Sequence, residues 1–236
     1  MSTSENQRFA IWEKQDIVDN FARKKPSDAL LRFVEEFAAS RRLRILDAGC
    51  GAGRHMRPLL ASGHDCHGTD VSANMLKAAA QSLREVVDDA DDRLHCAGMD
   101  ALPFGTASFD MIISHGVWNL ARTEQELRSA MSEAARVLAD GAVLYLTTFS
   151  RNTLPPDALP VSGSRFIFTD FNNEPQTFRT PEQLDAELRA VGFVRDESRP
   201  IRELNRPASW ESSRGPGLTI VGGKRPVLLE GVWTRR

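Results

Sequence analysis

The sequence has few cysteines and no long apolar run, and these two absences exclude several classes of protein. Its three cysteines, Cys50, Cys66 and Cys96, are an odd number without paired spacing, which does not fit a disulfide framework and indicates a reducing compartment. No apolar stretch approaches the length needed to cross a bilayer, and the first residues lack the basic and apolar regions of a signal peptide. We therefore expect a cytoplasmic protein with no membrane partner.

Charge of one sign is not in large excess either. The 30 Lys and Arg residues nearly balance the 32 Asp and Glu residues, so the overall charge does not indicate nucleic acid as the main partner. Residues 195–236 are the exception, with nine Lys and Arg against five Asp and Glu. A solvated surface explains this local excess better than a binding patch for an acidic substrate does. The oligomeric state is not indicated.

The pattern of apolar residues predicts an α/β fold. Near-continuous apolar runs at residues 43–48, 109–114 and 142–149 are typical of strands buried on both faces of a parallel sheet. Shorter strands are expected at 65–70 and 93–97. Helices are expected after Ser27, after the turn at 49–53, after Ser72, at 123–138, where Asp140 and Gly141 end the helix, and after Thr180. At 236 residues the chain fits one domain with helices on both faces of the sheet.

Three segments lie outside this alternation. Residues 1–40 form a predicted N-terminal helical arm. The loop at 150–179 contains four prolines and several phenylalanines, and we interpret it as an ordered lid over the substrate. Within residues 180–236, strands are predicted at 193–201 and 218–221, pairing as an antiparallel hairpin on the sheet edge.

Polar residues follow four of the predicted strands at the point where each strand ends. They are Asp47, Asp70, Asp100, and the pair Ser114 and His115. Because ligands of open α/β sheets bind beyond the carboxyl ends of the strands, these side chains mark a candidate site.

Three glycines at alternate positions, Gly49, Gly51 and Gly53, follow Asp47 directly. Glycine permits positive φ and has no Cβ, so a ligand can lie directly against this turn. The helix after the turn is expected to present N–H groups to an anionic part of the ligand.

The spacing around the turn distinguishes between ligands. Asp70 lies 21 residues beyond Gly49, close to the distance at which an acid binds ribose hydroxyls in nucleotide-binding sheets. The dinucleotide motif also needs a small residue at its third position, and Arg54 or Met56 stands there instead. A nicotinamide dehydrogenase is therefore disfavoured. The carboxylate of Asp47 would repel a pyrophosphate and suits a ligand that carries an ammonium group.

Residues 43–148 resemble the class I S-adenosylmethionine-dependent methyltransferases, in particular the small-molecule group with ubiquinone/menaquinone-type and tellurite-resistance-type domains. The motifs that carry the resemblance lie at residues 45–53, 68–76, 100–104 and 133–141. The resemblance implies a Rossmann-like, doubly wound, mostly parallel seven-stranded sheet with an antiparallel C-terminal strand, and a cofactor-binding core at 41–148. It also implies S-adenosylmethionine as cofactor, S-adenosylhomocysteine as product, and no metal.

The resemblance further implies a role for each matching residue. Asp47 would lie near the methionine amino group, Asp70 would bind the ribose, and Asp100 with the Ala101 amide would contact the adenine edge. The full set of implied cofactor-binding residues is Asp47, Gly49, Gly51, Gly53, Asp70, Val71, Met75, Met99, Asp100, Ala101 and Ser114.

The expected reaction moves the sulfonium methyl group in line to an O, N, S or C nucleophile of a small, partly apolar molecule. His115 is the candidate general base, although a histidine at this position more often only contacts the cofactor or lines the pocket. Trp12, Trp118, Tyr145 and the phenylalanines of the loop either form an aromatic acceptor pocket or pack in the core.

Other functions remain open. The basic C-terminal part would suit a tRNA or protein methyltransferase, and a cofactor-binding subunit without activity would carry the same motifs. A zinc site at His64, Cys66 and His67 is disfavoured because neighbouring strand residues point to opposite faces. The acids at 88–92 match no calcium-loop spacing and are interpreted as a solvated loop.

Overall fold

The computed structural model describes residues 9–205 and 226–236, which fall into two compact units. The first unit contains the described residues up to Ile113 together with Arg136–Ala142, and the second contains Ser114–Ala135 and the described residues from Val143 onward. In these described ranges no helix is long and apolar enough to span a membrane.

The described elements follow the predicted alternation of strands and helices. The helices are α1 (Gln15–Ala22), α2 (Asp28–Ala38), α3 (Met56–Ala61), α4 (Ala73–Leu83), α5 (Glu124–Val137) and α6 (Pro181–Ala190). The strands are β1 (Arg44–Ala48), β2 (Asp65–Asp70), β3 (Leu94–Cys96), β4 (Phe109–His115), β5 (Leu138–Phe149), β6 (Ile167–Phe168), β7 (Gln176–Thr177), β8 (Phe193–Arg195), β9 (Arg202–Leu204) and β10 (Leu228–Arg235). Short 3₁₀ turns lie at Asp91–Arg93, Trp118–Leu120 and Arg151–Thr153.

The main sheet has the strand order β3-β2-β1-β4-β5-β10-β8, and β9 also pairs with β10. β3, β2, β1 and β4 pair in parallel, whereas β10 is antiparallel to β5, β8 and β9. The chain order reverses between β1 and β4, where Asp47 is in register with Ile113. The predicted mostly parallel α/β sheet with an antiparallel C-terminal strand is confirmed, with β9 as an additional short strand.

Three predicted helix starts are confirmed by their caps. The side chain of Ser27 accepts a hydrogen bond from the Leu30 amide, and that of Ser72 accepts one from the Met75 amide. Thr180 forms a capping box with Gln183 and is followed by Pro181. Each cap satisfies an N–H group that the first helical turn leaves without a partner, so these residues fix where the helices begin.

Two boundary predictions are wrong. α5 ends at Val137, and Asp140 and Gly141 lie within β5 instead of ending the helix. The strand predicted at 193–201 is observed only as β8, which ends at Arg195. It pairs with β10, a strand that the apolar pattern did not predict because Gly231 and the charged Glu230 interrupt it. The strand predicted at 218–221 lies outside the described residues.

Three of the four phenylalanines of residues 150–179 pack with each other inside the second unit. Phe168, Phe171 and Phe178 form a buried cluster with Phe149 and Leu154. The centroids of the Phe149 and Phe178 rings are 5.5 Å apart. For these residues the structure favours core packing over an aromatic acceptor pocket, and the lid function of the segment stays a prediction.

Candidate functional site at the glycine-rich turn

The turn after β1 has the backbone conformation that its glycines predict. Gly49, Gly51 and Gly53 all have positive φ, at 79°, 54° and 75°. A Cβ at Gly53 would lie 3.2 Å from the Cβ of Ala79 on α4, which is tighter than an ordinary contact. Gly53 is therefore required for the close approach of the turn to α4 as well as for the backbone angle.

Asp70 at the end of β2 holds the turn in place. Its Oδ2 accepts a hydrogen bond from the Gly51 amide and its Oδ1 accepts one from the Ser72 amide, both at 2.9 Å. Burial raises the pKa of this carboxyl, and the hydrogen bonds from the backbone oppose the shift. Since a carboxylate offers about four lone-pair positions, Asp70 retains the capacity to accept further bonds.

Other amides of the turn are also bonded internally. The Gly49 and Cys50 amides both donate to the Thr69 carbonyl at 2.8 Å, and the Gly53 amide donates to the Cys50 carbonyl. What the turn offers a ligand is therefore mainly close approach to its main chain, and less a set of N–H donors.

Asp47 is buried beneath the turn, with 1% of its surface exposed. Its Oδ2 has no hydrogen-bond partner among the described residues, and the Nδ1 of His55 lies 3.8 Å from it. Burial raises the pKa of Asp47 to about 7, while the charge of Arg54 acts in the opposite direction. An acceptor atom buried without a donor is costly, so this carboxylate is suited to binding a cation.

Arg54, a cation that the spacing argument did not assign to the site, lies near Asp47, and Lys24 lies near Arg54. Burial lowers the pKa of Arg54, against the charge of Asp47, and burial and the charge of Arg54 together lower the pKa of Lys24. The Lys24 ammonium lies 3.8 Å from the centre of the Phe21 ring. Arg54 entered the sequence argument only as a residue too large for a dinucleotide turn, and nothing in the sequence places Lys24 here.

The N-terminal arm contacts the glycine turn and the start of α4, which sequence spacing did not reveal. The Ser72 hydroxyl donates to the Trp12 carbonyl at 3.0 Å, and the Glu13 carboxylate accepts from the amides of Ala73 and Asn74. On α1, Val18 packs with Ala52 of the turn and Met75 of α4. The apolar spacing of the arm predicts a helix, but it does not say what the helix covers.

Replacing Glu13 by Ala removes the carboxylate that accepts from two N–H groups at the start of α4. We expect the free energy of unfolding to fall by about 1 kcal/mol, the usual cost of losing such a cap. Because the arm packs on Met75 and Ala52, we also expect about fivefold weaker binding of S-adenosylhomocysteine in calorimetry. Gln15→Ala is the matched control, since Gln15 bonds Asp19 of its own helix. Equal effects of the two variants would contradict the assignment.

The predicted adenine-edge residues lie in the loop after β3. Asp100 is exposed, and its Oδ1 would lie 2.7 Å from a Cβ placed at Gly98, so the carboxylate folds back over that glycine. The Ala101 amide donates to the Gly98 carbonyl at 3.3 Å, so binding of adenine has to share or replace this long bond. Val71 and Met99 are half-buried, and Met75 is buried.

Ser114 and His115 are the last two residues of β4 and belong to the second unit. The Ser114 hydroxyl is buried and has no hydrogen-bond partner among the described residues. His115 is half-buried. The next residue, Gly116, donates its amide to the Thr147 carbonyl at 2.7 Å, which places the end of β4 beside the carboxyl half of β5.

No metal site was found among the described residues: no group of three or more His, Cys, Asp or Glu side chains is placed to hold an ion. The rings of His67 and His95 are stacked, with their centroids 5.8 Å apart, while Cys66 is buried on the other face of β2. In the acidic loop, Asp89 and Asp91 bond Arg93 and Arg84. These contacts agree with the interpretation of the acids as a surface loop.

Comparison with known proteins identifies the family. A family model described as a methyltransferase domain matches residues 45–141. The chain is 34% identical over 202 residues to the malonyl-[acyl-carrier protein] O-methyltransferase of Enterobacter lignolyticus, covering 85% of this chain and 73% of that protein. The chain belongs to the S-adenosylmethionine-dependent methyltransferases.

Other methyltransferases are similar in sequence or in fold. The demethylmenaquinone methyltransferase of Clavibacter sepedonicus is 31% identical over 176 residues, which cover 67% of this chain and 68% of that protein. A solved S-adenosylmethionine-dependent methyltransferase from Methanosarcina mazei superimposes with a TM-score of 0.66 at 19% identity, covering 90% of this chain and 99% of that one. At this identity the structure supports the methyltransferase fold alone.

Proposed function

We propose that this methyltransferase binds S-adenosylmethionine at the turn after β1 and transfers its methyl group to a small organic acceptor. The hydrogen bonds of Asp70 are the observation that carries the proposal. A single carboxylate at the end of β2 bonds both the glycine turn and the start of α4, and it retains lone pairs for ribose hydroxyls. Asp47, buried with an unpaired oxygen, is the proposed partner of the methionine ammonium.

The remaining cofactor contacts are proposed from the positions of the residues in the turn and at the strand ends. Gly49, Gly51 and Gly53 would bring main chain against the methionine part, Val71 and Met75 would flank the adenine, and Met99, Asp100, Ala101 and Ser114 would complete the site. The sulfonium supplies an activated methyl group, so the protein has mainly to orient the acceptor and exclude water. His115, at the end of β4, is the proposed base for acceptors that must lose a proton.

Calorimetry with S-adenosylhomocysteine tests the site. We expect the wild type to bind, and Asp70→Ala to bind about thirtyfold more weakly. Asp70 also supports the turn, so affinity alone does not separate the two roles. The 2′,3′-dideoxy analogue of the ligand does: if Asp70 binds the ribose, removing the hydroxyls weakens binding to the wild type and has little effect on binding to Asp70→Ala.

Asp65→Ala is the matched control, because Asp65 begins the same strand and bonds Arg93. Its affinity for S-adenosylhomocysteine should stay at the wild-type value. No binding by the wild type would overturn the proposed function, and equal losses for both ligands in Asp70→Ala would reduce Asp70 to a structural role.

The names of the relatives specify demethylmenaquinone, a small molecule, and malonyl-[acyl-carrier protein], in which a small acyl group is carried on a protein. They support a small organic acceptor group, free or on a carrier, over tRNA. Within the basic C-terminal segment, several described cations already have partners within the chain. Arg202 bonds Glu230, Arg199 pairs with Asp196, and Arg235 donates to the Ala135 carbonyl. These contacts leave a smaller basic surface than the sequence count indicates.

A further inference from the structure

Arg179, at the end of the 150–179 segment, is fully buried with 0% of its surface exposed. None of its three guanidinium nitrogens has a hydrogen-bond partner among the described residues. Burial lowers the pKa of Arg179 to about 10, so the side chain is still a cation at neutral pH. A buried guanidinium without an acceptor is costly, and a site that binds an anion is the usual reason to retain one.

The direction of the Arg179 side chain follows from its neighbours in the extended segment. Phe178 packs into the cluster with Phe149 and Phe171, and the preceding Thr177 donates its hydroxyl to the Trp118 carbonyl on the other side. Since side chains alternate along an extended chain, Arg179 lies on the Thr177 side, away from the aromatic cluster. A bridge to Ser150 places it beside the carboxyl end of β5.

This part of the second unit is rich in buried polar atoms. The Gly116 amide bonds the Thr147 carbonyl and Thr177 bonds the 118–120 turn, so the ends of β4, β5 and β7 lie together. Buried side-chain oxygens without partners among the described residues occur on these same elements, at Ser114, Asn119 and Thr148. Thr147 and Gln176 also have such oxygens, but by the same alternation their side chains lie on the side of Phe149 and Phe178. Unpaired polar groups on the segments next to one buried cation are suited to a polar, anionic ligand.

The acid that acts on Arg179 electrostatically does not neutralise it. Glu187 raises the pKa of Arg179, against the effect of burial, but the Glu187 carboxylate pairs with Arg165 at 3.0 Å and with Arg128 at 3.7 Å. The nearby Arg151 is engaged with the carbonyls of residues in its own loop, including Pro155 and Ala158. One unpaired cation balances one negative charge, which fits a carboxylate better than a phosphate.

We propose that Arg179 binds a carboxylate group of the methyl acceptor, so that the substrate of this methyltransferase is an organic carboxylic acid. The planar guanidinium presents parallel N–H groups that match the two oxygens of a carboxylate, and this bidentate geometry would orient the acceptor. The inference rests on the proposed function, because it concerns the acceptor of the same reaction.

The test uses the protein saturated with S-adenosylhomocysteine and a panel of carboxylic acids, each beside its methyl ester. The panel includes malonyl- and succinyl-N-acetylcysteamine, benzoate and phenylacetate. Calorimetry should show at least one acid bound more tightly than its ester. The affinity of Arg179→Met for this acid should be at least about tenfold lower than that of the wild type. The affinity of Arg179→Lys should be intermediate, because lysine keeps the positive charge but lacks the bidentate guanidinium group.

Arg165→Met is the control, since Arg165 pairs with the same Glu187 but is exposed, and it should keep the preference for acids. The inference would be overturned if no acid bound more tightly than its ester. It would also be overturned if Arg179→Met lowered the affinities for the acid and for the ester equally. Binding of S-adenosylhomocysteine by the wild type and by Arg179→Met separates these outcomes. If the wild type does not bind S-adenosylhomocysteine, the proposed function is contradicted. If Arg179→Met still binds S-adenosylhomocysteine, the variant is folded.

Discussion

Asp47→Asn is expected to bind S-adenosylmethionine about fiftyfold more weakly while it makes the ligand-free protein more stable at pH 8. The loss of affinity follows from the proposed pairing of the Asp47 carboxylate with the ligand ammonium, because Asn retains the shape without the charge. The gain in stability follows from the burial of that carboxylate, whose Oδ2 has no partner among the described residues.

The pH dependence has a definite sign. Burial raises the pKa of Asp47 from its ordinary value of 3.8 to about 7, so the folded protein binds the proton more tightly than the unfolded chain does. The contribution of Asp47 to stability is therefore largest below pH 4 and falls as the pH rises to 7. An asparagine side chain does not titrate, so its contribution to stability does not change with pH. We therefore expect the free energy of unfolding of Asp47→Asn to exceed that of the wild type by about 2 kcal/mol more at pH 8 than at pH 5.

Urea denaturation of both proteins at pH 5 and pH 8, without ligand, measures this difference, and calorimetry measures the affinity. Asp92→Asn is the control for the loss of one carboxylate, because Asp92 is exposed in the acidic loop. A constant difference in stability between wild type and Asp47→Asn at the two pH values would contradict the burial argument. Unchanged affinity would remove Asp47 from the cofactor site.

Gly68→Ala is expected to destabilise the protein by about 2–3 kcal/mol, as overpacking in a tight core does. Gly68 lies in β2 between Asp47 of β1 and Leu94 of β3. A Cβ there would lie 2.5 Å from the Met56 sulfur and 2.8 Å from the Cys50 sulfur, and both side chains are buried. Methionine can adjust, but Cys50 is short and its own Cβ would be 3.0 Å away.

The same substitution should weaken cofactor binding, because Cys50 belongs to the glycine turn and Met56 begins α3. Gly105→Ala is the matched control: a Cβ at Gly105 would meet the Ser108 hydroxyl at 3.5 Å, an ordinary contact. We expect urea denaturation to show a change within about 0.5 kcal/mol for this variant. Adding Cys50→Ala to Gly68→Ala should recover part of the lost stability. If Gly68→Ala and Gly105→Ala have equal stability, the proposed clash does not occur.

Local chemistry in the sequence predicted most of the elements of the first unit. Asp65–Asp70 was predicted as a strand and is β2 with the same limits, and the caps at Ser27, Ser72 and Thr180 begin the helices as expected. Predictions failed where the local pattern is ambiguous. Asp140 and Gly141 are a common helix end, yet Leu138 already belongs to β5, and the hydrogen bond from Ser108 to Val137 forms at this junction.

The sequence by itself determined the positions of the turn glycines and of the acids at the strand ends, because strand ends and tight turns depend on neighbouring residues. Only the tertiary structure decided which groups these residues meet. Glu13 and α4 are about 60 positions apart in the chain, and Ser150 and Arg179 are about 30 apart, so no short-range pattern relates them. Packing of distant segments buries Asp47 and Arg179 without a hydrogen-bonding partner for Asp47 Oδ2 or for the Arg179 guanidinium among the described residues. Such buried charged groups are suited to binding a ligand group of opposite charge, which is the function proposed for both residues.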